Sequence, residues 1–219
     1  MDDFAKSDAY FNDFLNPRDS ALDAALQNSQ ANGLPEIAVS VAQAKFLKIT
    51  AQSMKAKRIL EVGTLGGYSS ICFARALPDD GKLVTLELSD KHAKVARENI
   101  DGAGLSSKVE VKVGPAVETL KTLKSDDPFD LVFIDADWLN IPVYFNEAKR
   151  LTRQGAIIII DNVNWNGQTA LQPANTSNEG VKAIRRLLAQ LKEDKEVEAT
   201  VLGLAGAKQF DGMLYAIKL

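Results

Sequence analysis

Five short aliphatic runs, separated by segments with helical spacing, constrain this chain more than any other feature. They are Ile59–Val62, Leu83–Leu86, Val109–Val113, Leu131–Ile134 and Ala156–Ile160. Each is short, mostly apolar and bounded by charges or turn residues, as strands covered by helices on both faces tend to be. Between and after them, Ala93, Ala96 and Ile100 mark one helix, and Val117, Leu120 and Leu123 another. Val181, Ile184, Leu188 and Leu191 mark a third. Such β-α alternation predicts an α/β fold with a doubly wound, mostly parallel sheet flanked by helices.

Both ends depart from this rhythm. Near the C-terminus, Val197, Ala199 and Val201 alternate with Glu198 and Thr200. A loop containing Gly203, Gly206 and Asp211-Gly212 then leads to Met213–Ile217. Two strands with no helix between them predict an antiparallel pair at the sheet edge. Ahead of the first run the chain reads as helical. Ala21, Ala24, Ala25 and Asn28 form one stripe, ending near Gly33 and Pro35. Val41, Ala44, Leu47, Ala51 and Met54 form a second. No repeat or linker interrupts the sequence, so residues 1–219 are read as one domain. Residues 1–55 supply N-terminal helices that cover the site, and 56–219 supply the core.

Composition excludes more than it proposes. A net charge of −3, with no run of Lys or Arg longer than two, argues against a nucleic-acid partner. A single cysteine, Cys72, rules out an internal disulfide and fits a reducing compartment such as the cytoplasm. The early residues are acidic rather than apolar, and Ala156–Ile160 is too short to span a bilayer, so no membrane partner is expected.

The first strand runs into Glu61-Val62-Gly63-Thr64-Leu65-Gly66-Gly67-Tyr68-Ser69. Glycines here let the backbone turn tightly and approach a ligand. In an open α/β sheet, ligands bind beyond the carboxyl ends of the strands. The spacing Gly63-x-x-Gly66-Gly67 is not the dinucleotide pattern, and no Lys-Ser or Lys-Thr follows to make a phosphate loop. Glu87 closes the second strand, where a ribose-binding acid is expected. Its carboxylate could accept from both ribose hydroxyls of an adenosine ligand.

A second constellation lies at later strand ends. Ile134 is followed by Asp135-Ala136-Asp137, and Ile160 by Asp161-Asn162. In a doubly wound sheet these ends face the crevice beside the glycine loop. Two carboxylates and an amide converging there offer only oxygen, which suits Mg²⁺, Mn²⁺ or Ca²⁺ better than Zn²⁺ or Cu²⁺. The residues alone equally allow Asp135 and Asp161 to be helix caps or loop anchors.

Taken together, these segments resemble the cation-dependent O-methyltransferases, a family that includes the catechol and caffeoyl-CoA O-methyltransferases. The resemblance is carried by Leu60–Ser69, Ala76–Gly81, Gly114–Ala116, Phe129–Asp137 and Asp161–Gly167, and it runs from about Pro35 to the end. It implies a Rossmann-like class I methyltransferase fold with a seven-stranded sheet. It also implies S-adenosylmethionine as methyl donor, a divalent cation, and a small aromatic vicinal diol as acceptor. Glu61, Gly63 and Ser69 would lie along the methionine part of the donor, with Val39 closing over it and Asp135 beside it. Glu87 would hold the ribose and Ala116 would border the adenine. Asp135, Asp161 and Asn162 would hold the metal. Relatives of the caffeoyl-CoA type tend to be dimers, and the apolar N-terminal helices point the same way.

One position departs from the family. A lysine three residues after the first metal-binding Asp usually takes the acceptor's proton, and here that position is Trp138. An indole N–H only donates. Three alternatives follow: the cation suffices to release the proton to water, Asp137 serves as base, or the chain is slow or binds the cofactor without catalysis. Trp138 could instead stack on the substrate or pack under a loop, and Trp165 could form another wall. The stretch from Ala205 to Phe210 is a candidate substrate loop. His92 is read as solvated surface away from the crevice, Cys72 as core, Lys192–Lys195 as a solvated helix end, and Gly102 and Gly104 as helix termination. A nicotinamide-dependent oxidoreductase is the alternative enzyme class.

Overall fold

The computed structural model describes residues 2–206 and 210–219. Three helices come first: α1 (Asp2–Leu15), α2 (Ser20–Ala31) and α3 (Val41–Ser53). Asp19 caps α2 through the N–H groups of Ala21 and Leu22, and Ser40 with Gln43 forms a reciprocal capping box on α3. Each device satisfies backbone donors that a helix start leaves open.

The alternating core follows: β1 (Arg58–Val62), α4 (Tyr68–Ala76), β2 (Lys82–Glu87), α5 (Asp90–Gly102), β3 (Val109–Val113), α6 (Ala116–Thr122) and β4 (Phe129–Ile134). A 3-10 turn at Trp138–Asn140 leads into α7 (Ile141–Leu151), then β5 (Thr152–Ile160), the short α8 (Gln168–Leu171), α9 (Glu179–Glu193), β6 (Val197–Ala205) and β7 (Phe210–Lys218). The sheet has seven strands in the order β3-β2-β1-β4-β5-β7-β6. The first five are parallel, while β7 runs antiparallel to both β5 and β6. The expected fold class, with its antiparallel edge pair, is what the structure shows.

Side-chain alternation along each strand divides the core between two layers. Leu60 and Val62 of β1 pack with α7 and α9 residues such as Phe145, Leu151 and Ile184. Ile59 points the other way, toward Leu47 and Ala51 of α3 and Phe73 of α4. A smaller cluster joins Ala25 of α2 to Ile71, Ala96 and Ile100. Both sheet faces are therefore covered, as the near-continuous aliphatic strands require.

Three local expectations need correction. Val109–Val113 is only partly buried, with Glu110 and Val113 exposed, because β3 lies at the sheet edge. The C-terminal loop is shorter than predicted. Gly203 pairs with Gly212 and Leu204 with Asp211, so Asp211-Gly212 belongs to β7 rather than to a turn. Much of the Ala205–Phe210 substrate loop lies outside the described residues. Finally, α7 was not anticipated, although Ile141, Tyr144, Phe145, Ala148 and Leu151 are buried at helical spacing after a first-turn Pro142.

Candidate active site

The carboxyl ends of β1, β2, β4 and β5 open into one cavity of about 1210 Å³. Small-molecule sites commonly span about 300–1,000 Å³, so the volume is ample for a cofactor with an acceptor beside it. Its floor is set by sheet register. Val62 pairs with Leu86 and Ile134, and Ile134 with Ile160, so the chain leaves all four strands at one level.

The glycine loop leaves β1 at Gly63 (φ +99°) and enters α4 through Gly67 (φ +80°). Both are left-handed conformations that side chains disfavour. Glu87, 7% exposed, is clamped to this loop. One carboxylate oxygen accepts from the Thr64 and Leu65 N–H groups at 3.2 and 2.8 Å, and the other accepts from Ser89 N–H at 2.9 Å. A carboxylate has about four acceptor positions, so capacity for a ligand hydroxyl remains. Val39, Gly63, Ser69, Glu87 and Ala116 all line the cavity.

Glu61 lies one layer behind the wall. It is fully buried, and the hydroxyls of Ser69, Ser70 and Thr85 all donate to its carboxylate. Burial pushes its pKa up against the pull of those three hydroxyls. It thus reaches the cavity through Ser69, which it orients, rather than by lining it.

Asp135, Asp161 and Asn162 also share the wall. Asp135 and Asp161 follow residues that are direct strand partners, and Asp161 N–H bonds Ile134 C=O at 2.9 Å. Gln43 of α3 reaches both Asp161 oxygens at 3.3 Å. Asn162 adopts φ +57°, a conformation Asn tolerates better than most residues. Its Nδ2 donates to Asp211 at 3.1 Å, which leaves the amide oxygen as its remaining ligand atom. Asp211, 3% exposed, also accepts from the N–H groups of Asn164, Trp165 and Gly212. It anchors the loop after β5, in which Asn162, Trp165 and Asn166 take positive φ.

The described residues contain no group of three or more His, Cys, Asp or Glu placed to hold a metal. The set here is smaller, two carboxylates with the Asn162 amide oxygen as a third donor. Its chemistry, all oxygen and doubly anionic, fits a hard divalent cation.

Trp138 and Trp165 both line the cavity and face each other, with ring centroids 4.2 Å apart and 35° between planes. A β-carbon at Gly180 of α9 would lie 3.3 Å from the Trp138 β-carbon, which places Trp138 against the start of that helix. Trp138 thus packs on one side and fronts the cavity on another. Asp137 is engaged: it accepts from Tyr144 O–H, and from the N–H and Nδ2 of Asn140. Burial, then this bond to Asp137, raises the pKa of the Tyr144 hydroxyl.

Sequence reasoning missed several wall residues. His92 lines the cavity, with its Nδ1 3.5 Å from Glu87 Oε1. The first turn of α5 tilts it inward, which corrects its reading as remote surface. Gln43, Tyr144 and Asp211 were passed over, as was Asp8 from α1. Only Asp211, beside the conspicuous Gly212, carried any local signal.

Comparison with known proteins agrees with this geometry. Residues 18–219 match the family model described as O-methyltransferase. The chain belongs to the O-methyltransferase family. This O-methyltransferase is 45% identical over 216 residues to a catechol O-methyltransferase of Niastella koreensis, covering 98% of this chain and 97% of the relative. It is 46% identical over 210 residues to one from Mycobacterium tuberculosis, covering 96% and 94%. Among solved structures, an O-methyltransferase from Bacillus cereus in complex with SAH superimposes with TM-score 0.96 at 41% identity, covering 100% and 99%. Family membership decides against a nicotinamide-dependent oxidoreductase. No described helix is long and apolar enough to cross a membrane.

Proposed function

We propose that this O-methyltransferase moves a methyl group from S-adenosylmethionine to one hydroxyl of a vicinal aromatic diol, with the help of a divalent cation. The observation that carries this reading is the placement of Asp135 and Asp161. They end adjacent strands and open onto the cavity that the Gly63 loop and Glu87 also line. The names of the two catechol O-methyltransferase relatives, and the SAH in the Bacillus cereus structure, support the same reading.

Glu87 would accept from the ribose hydroxyls, held in place by the loop's own N–H groups. Ala116 would border the adenine, and Ser69, oriented by Glu61, would face the methionine portion. Asp135, Asp161 and Asn162 would hold the cation, with Gln43 and Asp211 fixing two of them from behind. A phenol has a pKa near ~10, so about one in a thousand is ionised at pH 7, a deficit of roughly 4 kcal/mol. When bound, a divalent cation supplies the positive charge that favours the ionised oxygen. Trp165, backed by Trp138, would press on the ring and keep that oxygen in line with the sulfonium methyl. The S–CH₃ bond would break as the O–CH₃ bond forms, and the hydroxyl proton would leave to water, since position 138 carries Trp where the family usually has a lysine.

The test is incubation with methyl-labelled S-adenosylmethionine and catechol, with Mg²⁺ or with a chelator. Label entering the ring only when the cation is present supports the proposal. Tight donor binding without transfer to any diol would instead make the chain a binding protein. The exposed Phe4, Tyr10, Phe11 and Phe14 of α1 support a homodimer, which light scattering would check.

A further inference from the structure

Gly66 sits in the glycine loop for a reason that faces away from the cavity. Unlike Gly63 and Gly67 it has no left-handed φ, and among the described residues it is not part of the cavity wall. A β-carbon at this position would lie 2.1 Å from Ser29 Oγ and 3.2 Å from Ser29 Cβ. Ser29 belongs to α2, so the missing side chain at Gly66 makes room for that helix rather than for a ligand.

Asn99, in the last turn of α5 and 6% exposed, fastens the same two elements together. Its Nδ2 lies 2.8 Å from Gly66 C=O, 3.1 Å from Ala25 C=O and 3.2 Å from Ser29 Oγ. Its Oδ1 accepts from Asn28 Nδ2 at 2.8 Å. The Ser29 hydroxyl in turn donates to Ala25 C=O at 2.7 Å. A side-chain amide carries two N–H donors and an acceptor oxygen, and here both ends of it are engaged between α2 and the loop. A carboxylate at this position would set a buried charge against two carbonyl oxygens, at a large desolvation cost.

The rest of α2 is held lightly. Ala25 is its one fully buried residue, and its start is tied to α4 by Arg75, which donates to Asp19. No described α2 residue lines the cavity, so the helix reaches the site only through the loop. The path is short. Gly66 follows Thr64 and Leu65, whose N–H groups clamp Glu87, and Gly67 N–H bonds Thr64 C=O at 2.8 Å. An element with few buried apolar contacts opens locally more easily than the core does, and one joined to a ligand loop by hydrogen bonds responds to that ligand.

We propose that Asn99 and Ser29 are positioning residues for the methyl donor, and that the docking of α2 and the binding of the donor are coupled through Gly66. A donor seated on Glu87 fixes the loop, which keeps the Gly66 carbonyl on Asn99 and holds α2 down. Coupling between two sites is reciprocal, so docked α2 tightens donor binding by the same factor. The inference goes beyond diol methylation and requires only that the chain binds its donor.

The experiment uses the full chain and S-adenosylhomocysteine as probe, with Kd read by calorimetry across a double-mutant cycle. Gly66→Ala should weaken binding about fivefold or more, the low end of coupling between sites. In the Ser29→Ala background the same change should cost less than about twofold, the margin within which independent effects add. The blocking hydroxyl is then gone, and the remaining 3.2 Å contact is relieved by a small shift. Should Gly66→Ala fail to fold, recovery of folding in the double variant is read in its place. Amide hydrogen exchange gives the second measurement. Saturating S-adenosylhomocysteine should slow exchange in α2 about fivefold or more in the native chain, and that slowing should vanish in Asn99→Leu, with Tm confirming its fold. A Gly66→Ala loss of equal size in both backgrounds overturns the proposal, as does exchange in α2 that ignores the probe. A native chain that binds no S-adenosylhomocysteine overturns this coupling and the donor reading together.

Discussion

A β-carbon at Gly63 would lie 1.9 Å from the carbonyl oxygen of Asp135. The backbone of the Gly63 loop thus rests directly on the backbone that presents Asp135, the first carboxylate of the proposed cation site. The two halves of the site share one contact, and its tightness is why position 63 has no side chain.

From this contact, Gly63→Ala should be among the most damaging single changes. The alanine would meet backbone that cannot swing aside, and it would have to adopt φ +99°. Left-handed strain alone costs about 1–3 kcal/mol. With the overlap, a loss of about 3 kcal/mol or more is expected, or roughly 6–12 °C in Tm for a chain of this size. Calorimetry and donor titration should show both stability and cofactor affinity falling. Gly206→Ala is the control. It meets only the flexible end of Asp8, and its Tm should move by less than about 2 °C.

The proposed cation site predicts a graded series. Asp161→Asn removes a charge from the ligand set and should lower methylation by about 100-fold or more, as should a chelator. Asp211→Asn leaves the three ligands in place but puts an amide where four donors converge. An outer-shell loss of this kind costs about 10–100-fold in metal affinity or activity. Raising Mg²⁺ should therefore rescue Asp211→Asn well and Asp161→Asn poorly, read as the Mg²⁺ concentration giving half-maximal rate. Equal rescue of the two would remove Asp161 from the ligand set.

Much of this could be read from the sequence because it is local. The strand runs, the Gly63 loop, Glu87 at a strand end and the Asp135 and Asp161 pair are fixed by residues adjacent in the chain and by the rule that parallel strands open at one end. What could not be read depends on distant packing. Gln43 meets Asp161 across 118 residues, and Asp8 meets the cavity only because α1 folds over a hairpin whose strands begin near residue 197. His92, read as surface away from the crevice, instead points at Glu87 from the first turn of α5, an orientation set by how that helix leaves the strand. Glu61 shows the converse: a motif residue in the expected place, with its carboxylate turned to three hydroxyls behind the wall.

Cys72 gives a pH prediction with a definite sign. Burial raises its thiol from 9.0 to about 11, and it is 5% exposed. At pH 8 about one thiol in a thousand would be ionised, and only the thiolate reacts. A disulfide reagent should therefore label no cysteine in the native chain at pH 8 and one in denaturant. Between pH 9 and 11 the folded form keeps a proton that the unfolded chain has released, so stability falls as pH rises through that window. Burial likewise raises Tyr68 to about 12, which extends the fall upward. Cys72→Ala should flatten the loss between about pH 9 and 10, lessen it between about 10 and 11 where Tyr68 also contributes, and leave the rest, a difference that denaturant midpoints at a series of pH values would resolve.

Trp138 stands where the family usually has a lysine, and in the proposed reaction it would support the acceptor rather than take its proton. Its ring stacks on Trp165 and rests on Gly180, so it supports the wall against which an acceptor ring would press. An aromatic pair is worth about 0.5–1.5 kcal/mol beyond the area it buries. Trp138→Ala should raise KM for catechol by roughly 3- to 10-fold, the range that energy implies, and change kcat much less. Because an indole does not titrate, the pH dependence of kcat should keep its native shape in this variant. Trp138→Lys places an ammonium beside the acid-lined site, and there the pH profile should gain a limb the native enzyme lacks. A collapse of kcat in Trp138→Ala with KM unchanged would put the indole in the reaction itself and remove the support role assigned to it.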